Sequence, residues 1–149
     1  MPFEILFVCT GNTCRSPMAE AMLRSAIPES KRKKYIVLSA GTGARNGAPA
    51  SQLAAKVMKE NAINLEKHSS RLITKELADS ADLILGLSES HVNAIKEAFP
   101  ESAGKVFLLS EYSGIGGGGI NDPFGGDIDT YRTVRDQIYN HVSKIASKM

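Results

Sequence analysis

The stretch that decides the fold is Phe3-Glu4-Ile5-Leu6-Phe7-Val8-Cys9-Thr10-Gly11-Asn12-Thr13-Cys14-Arg15-Ser16-Pro17. Its first part, 3–8, is apolar at almost every position rather than at every second one, which reads as a strand buried on both faces. Small polar residues end the run. Ser16-Pro17 then reads as the N-cap and first position of a helix reaching to about Ala26. A buried strand, a tight polar loop and a helix, in that order, open a β-α-β unit.

The same grammar repeats along the chain. Apolar runs at 35–40, 82–87 and 105–109 read as three more strands. Amphipathic stretches at 51–61, 89–98 and roughly 128–147 read as helices, with a helical turn near 74–79. Short apolar strands separated by helices imply parallel pairing with helices on both faces. The expectation is an α/β fold: a single doubly wound domain over 1–149, with a four-stranded parallel sheet flanked by helices. A chain of 149 residues is long enough to bury one core. In such sheets ligands bind beyond the carboxyl ends of the strands, where the chain changes direction across the sheet. The segment after Val8 is therefore the first place to look.

Composition removes several classes of function. Hydrophobic residues at 42% and charged residues at 23% are ordinary for a globular domain, and a net charge of +2 gives no reason to expect nucleic acid. The one dense basic run, Lys31-Arg32-Lys33-Lys34, has no interleaved aromatics and reads as a solvated helix end. No apolar stretch approaches the length of a membrane span, and the opening residues lack the basic region of a secretory signal. A cytoplasmic monomer with no membrane partner is expected. The two cysteines, Cys9 and Cys14, would close too small a loop for a structural disulfide to help much. His68, His91 and His141 are scattered, with no paired helical spacing and no C-x-x-C to join them, so no metal or cofactor is expected. A thiol used for chemistry remains.

Each residue of the loop suits a phosphate. Gly11 and Asn12 tolerate positive φ, so a short loop can curl with successive N–H groups pointing inward. Thr10 to Ser16 would then ring an anion at a helix N-terminus. Arg15 offers a planar fork for two phosphate oxygens. Cys9 sits at the base of that electropositive cradle, a setting that turns a thiol into a nucleophile. The bare alternative, a polar strand-to-helix turn, does not explain the full Cys-x5-Arg-Ser pattern.

The stretch FVCTGNTCRSPMAE resembles the signature of the low-molecular-weight protein tyrosine phosphatase family. The similarity extends through Ser39-Ala40-Gly41-Thr42, His68-Ser69-Ser70-Arg71 and Asp122-Pro123-Phe124-Gly125-Gly126, nearly the whole chain. The resemblance implies that Cys9 is the nucleophile, that Arg15 stabilises the transferring phosphoryl group, and that Ser16 hydrogen-bonds the thiolate. It also implies that Asn12, Ser39 and His68 hold the loop in shape. Read alone, Asn121-Asp122-Pro123 is a turn signal; the family places its general acid at this Asp. The glycine-rich run Gly114–Gly119 would let Asp122 move over a bound substrate. The implied reaction has two steps, formation of a phosphocysteine and its hydrolysis, with phosphorylated proteins as partners.

Thr13 bears on the substrate. Tyrosine-specific relatives typically carry isoleucine here, whereas threonine resembles the protein arginine phosphatase branch. A hydroxyl gives a polar wall suited to a guanidinium, and a shorter aliphatic surface grips a ring less well. The segment 41–47 also lacks the aromatic that tyrosine-directed relatives often place at the pocket wall; Arg45 within it has no interpretation at this level. Phosphoarginine is thus the expected substrate, with phosphotyrosine as the alternative. Three other readings are weaker. Arsenate reductases share a similar loop but need cysteines further along, and none follows Cys14. Cys14 is either a buried filler or a trap for an oxidised Cys9. Gly114–Gly119 matches GxGxxG literally, but no helix can begin directly after it, which removes the dinucleotide-binding context. A phosphate-binding module without catalysis would be favoured only if Cys9 or Asp122 were missing.

Overall fold

The first strand, β1 (Phe3–Cys9), shows why its sequence is apolar throughout. Ile5, Phe7 and Cys9 face one core, while Leu6 and Val8 face another. The structure is a computed structural model that describes all of residues 1–149. Three further strands, β2 (Tyr35–Gly41), β3 (Leu83–Gly86) and β4 (Val106–Leu108), complete a parallel sheet in the order β2-β1-β3-β4. Cys9 lies opposite Gly41 in the register, and Val8 opposite Gly86. The chain leaves β1 for β2 on one side and later returns to β3 on the other. That reversal opens a crevice at the carboxyl end of β1.

Helices cover both faces. The helices α1 (Arg15–Ala26), α2 (Gln52–Lys59) and α6 (Ile128–Ala146) pack on the Ile5–Phe7 face through residues such as Met18, Val57 and Ile138. The helices α3 (Lys75–Ser80) and α4 (Glu89–Ala98) pack on the opposite face through Ala78, Val92 and Ile95. No helix is long and apolar enough to cross a membrane. The doubly wound arrangement expected from the alternating segments is the one found.

The differences are local. The expected last strand, 105–109, is cut short: Leu109 departs from it to pack in the α1–α2–α6 core and begins α5 (Leu109–Ser113). The basic run lies in a 3-10 turn over Glu29–Lys34, where Arg32, Lys33 and Lys34 are exposed. Helix α1 begins at Arg15, two residues earlier than expected, with Cys14 in the cap position and no side-chain cap. The reading of Ser16 as an N-cap is therefore corrected. Its hydroxyl is engaged inside the phosphate loop, and Pro17 occupies the third helical position, where its missing N–H is still no loss.

Candidate active site

The loop after β1 is held by hydrogen bonds whose directions can be traced atom by atom. Asn12 is fully buried and has a φ of 56°, a left-handed conformation that asparagine accepts better than most residues. One Nδ2 hydrogen goes to Ser16 Oγ at 2.8 Å and the other to Ser39 Oγ at 2.9 Å. Its Oδ1 accepts the backbone N–H of Arg71 at 3.0 Å. Its own carbonyl oxygen is 2.6 Å from His68 Nε2, which must carry the proton because a carbonyl only accepts. Every polar atom of the Asn12 side chain is thus used, which fixes the orientation of its amide.

The chain of bonds ends on the sulfur. Ser16 Oγ accepts from Asn12, and its single proton has two acceptors within reach, Cys9 Sγ at 2.9 Å and the Ala40 carbonyl at 3.5 Å, the sulfur being the nearer. On the other side Ser39 donates to Glu20 Oε1 at 2.6 Å, and Arg24 holds the second Glu20 oxygen at 2.8 Å. Gly41 lets the neighbouring strand close in: a Cβ there would stand 2.2 Å from the carbonyl oxygen of Thr10. Thr42 and Gly43 donate their backbone N–H groups to the carbonyls of Cys9 and Thr10.

Arg15 is buried at the start of α1 and is aimed by the opposite loop. Its Nη1 donates to the carbonyl of Ile120 at 2.9 Å, and its Nη2 is 3.8 Å from Asp122 Oδ2. The Asp122 side chain is about half exposed, and its Oδ1 accepts the N–H of Phe124. Thus Cys9, Ser16, Asn12, Arg15 and Asp122, drawn from two ends of the chain, converge at the carboxyl edge of β1. A buried thiol at a helix N-terminus, a fixed guanidinium and a half-exposed carboxylate are the parts required for displacement at phosphorus followed by proton transfer.

The model of the low molecular weight phosphotyrosine protein phosphatases matches residues 4–149. The chain belongs to this family. It is 43% identical over 150 residues to a protein-arginine-phosphatase of Geobacillus stearothermophilus, covering 100% of this chain and 97% of that protein. It is 41% identical over 109 residues to the low molecular weight protein-tyrosine-phosphatase Wzb of Escherichia coli K12, covering 73% of this chain and 71% of that one. Among solved structures, a cysteine-to-serine variant of the YwlE arginine phosphatase with a phosphorylated active-site serine has a TM-score of 0.90 at 39% identity. That match covers 98% of this chain and 95% of the other.

The remaining expected residues fall as follows. Thr13 is half-buried on the loop, and its carbonyl accepts the N–H of Ser51. Cys14 turns its sulfur towards Ser51 Oγ at 3.2 Å and Tyr131 Oη at 3.5 Å, between α2 and α6. Both thiols are free. Thr10 and Gly11 are exposed at the lip of the loop. Arg45 is exposed and has no ion-pair partner; its carbonyl takes the Ser70 hydroxyl, which ties 45–48 to 70–72.

His91 is the residue that the sequence reading passed over. It is buried on α4, with Nε2 2.8 Å from Thr10 Oγ1 and Nδ1 2.8 Å from Ser88 Oγ. Burial, helped by the charge of Arg15 and opposed by that of Asp122, pushes its pKa down to about 4. It is therefore a neutral ring at the side of the phosphate loop. Glu20 was missed as well. An acidic residue on a helix whose partner is 19 positions away carries no local signal.

Proposed function

We propose that this chain is a cysteine-dependent protein-arginine phosphatase, working as a monomer in the cytoplasm. The observation that carries the reading is the hydrogen-bonded chain Asn12–Ser16–Cys9, in which Ser16 Oγ accepts from Asn12 and lies 2.9 Å from the sulfur at the base of the loop. In the proposed reaction the Cys9 sulfur attacks phosphorus in line. The phosphorus–nitrogen bond breaks, and the Asp122 carboxylic acid protonates the departing guanidine nitrogen. Arg15 and the loop amides hold the equatorial oxygens. Water then attacks the phosphocysteine, Asp122 takes its proton, and inorganic phosphate leaves with the thiolate restored. The relative that carries phosphate on a serine replacing its active-site cysteine supports this covalent step.

The arginine preference rests on the match to the Geobacillus protein-arginine-phosphatase and on Thr13, a hydroxyl-bearing residue half-buried on the loop. A free nucleophilic thiol suits a reducing compartment. The second reading, a tyrosine phosphatase, is favoured by the match to Wzb. The deciding experiment gives the enzyme a phosphoarginine peptide and a phosphotyrosine peptide. Phosphoarginine is expected to be preferred, the preference to shrink or reverse in Thr13→Ile, and Cys9→Ser to be inactive on both. A phosphotyrosine preference indifferent to Thr13 would sink the substrate assignment, and a fully active Cys9→Ser the mechanism.

A further inference from the structure

Against the network that holds Asn12 lies a cavity of about 560 Å³, lined in part by Glu20, Arg24, Ser39, Lys67, His68 and Arg71. None of Cys9, Thr10, Thr13, Arg15 or Asp122 borders it, so it lies outside the phosphate loop and shares with it only supporting residues, Ser39, His68 and Arg71. Its charge is one-sided. The only carboxylate on its wall, Glu20, is engaged on both oxygens, by Arg24 and by Ser39. Lys67 and Arg71 have no carboxylate partner. Arg71 uses Nε on the carbonyl of Ser39 at 3.1 Å and leaves both terminal nitrogens uncommitted. His68 donates Nε2–H to Asn12, and its Nδ1 has no partner in the protein.

We propose that this cavity is a second anion site that takes a small tetrahedral oxyanion, with Lys67 and the free fork of Arg71 supplying the charge. Two unpaired cations on one concave wall attract an anion more strongly than either would on a flat surface, because low-dielectric walls focus the field. A planar guanidinium with two free nitrogens suits two oxygens of one ligand. The site is coupled to the phosphate loop by covalent connection: the same Arg71 donates its backbone N–H to Asn12 Oδ1. An occupant that fixes Arg71 therefore stiffens the support of Asn12.

The probe is inorganic phosphate, titrated into Arg15→Ala, which lacks the guanidinium of the first site, with sodium chloride at matched ionic strength as the control. Backbone amide signals of 67–71 are expected to shift saturably with phosphate and not with chloride, and the melting temperature to rise with occupancy. Lys67→Glu in the same background should weaken the binding about tenfold, or ~1.4 kcal/mol, and Lys67→Arg should restore it. Should Arg15→Ala fold poorly, the unmodified chain shows two saturation curves, one for 10–16 and one for 67–71, only the second sensitive to Lys67→Glu. Absence of a saturable shift, an equal shift with chloride, or no effect of Lys67→Glu would overturn the proposal. Binding is read without turnover, so neither outcome depends on the substrate assigned above.

Discussion

The loop 10–14 and the loop 114–127 both reach Arg15, yet the first is held from every side and the second at a few points. Around Asn12, bonds arrive from Ser16, Ser39, His68 and Arg71, and the side chain is sealed from solvent. The second loop is anchored at Gly116, which donates to the Ser110 carbonyl, and at Ile120, which donates to the Leu87 carbonyl and accepts from Arg15. Between those anchors Gly117, Gly118 and Gly119 are exposed and their N–H groups meet no protein acceptor. The difference follows the chemistry proposed for each. A cradle that must match developing charge gains from being set in advance. A carboxylate that must reach a departing group, and then a water, gains from a compliant support.

The two loops differ most in effect at Asp122. Asp122→Asn is expected to lower kcat on the order of 10²–10⁴-fold, the usual worth of a general acid. Alkylation of Cys9 by iodoacetate should continue at nearly the normal rate. An equal loss in both would mean that the cradle depends on the second loop and that the two are not independent. Asn12→Ala tests the other side. It strands Ser16, Ser39 and the Arg71 N–H and puts alanine at a φ of 56°. Unpaired buried groups and backbone strain together predict a loss of about 2–4 kcal/mol, read as a lower midpoint in denaturant unfolding. A loss below about 0.5 kcal/mol would show that the network is not what supports the loop.

Acid acts between the two loops, at His91. Its folded pKa of about 4 lies below its ordinary 6.5, so the unfolded chain binds more protons between those values. The stability contributed by the neutral ring is whole above pH 6.5 and is lost as the pH falls towards 4. His91→Gln, compared with the unmodified chain in thermal melts from pH 7 to 4, should flatten that part of the slope. An unchanged slope would assign it to other groups. The smallest effect is expected at Gly117, where φ is 99° and a methyl group would meet nothing within 4 Å. Gly117→Ala should cost about 1 kcal/mol or less from backbone strain alone, read by the same unfolding midpoint. A larger cost would show that the glycine loop is more firmly held than its bonds indicate.

Much of the site could be read from the chain because its parts are close in sequence. Cys9, Gly11, Asn12, Arg15 and Ser16 lie within eight consecutive positions, between a strand and a helix that the apolar pattern marks. The misreading of Ser16 has the same origin. Locally a serine before a proline is a helix cap, and only a sulfur and an amide folded against it redirect its hydroxyl. His91 was illegible for a different reason: a single histidine on an amphipathic helix looks the same whether it faces solvent, core or a loop 81 residues away.

The order of strands and helices, the parallel sheet and the anion-binding character of the loop after β1 are all written in the sequence. Periodicity, φ tolerance and the chemistry of neighbouring residues are local properties that any window of the chain displays. Tertiary packing sets how Asn12 reaches Ser39 and, through it, Glu20, how Arg15 meets Ile120 and Asp122, and why the pKa of His91 is lowered. Those depend on which side chains share a buried volume. That is set by the packing of helices on both faces of the sheet, not by any short stretch of residues.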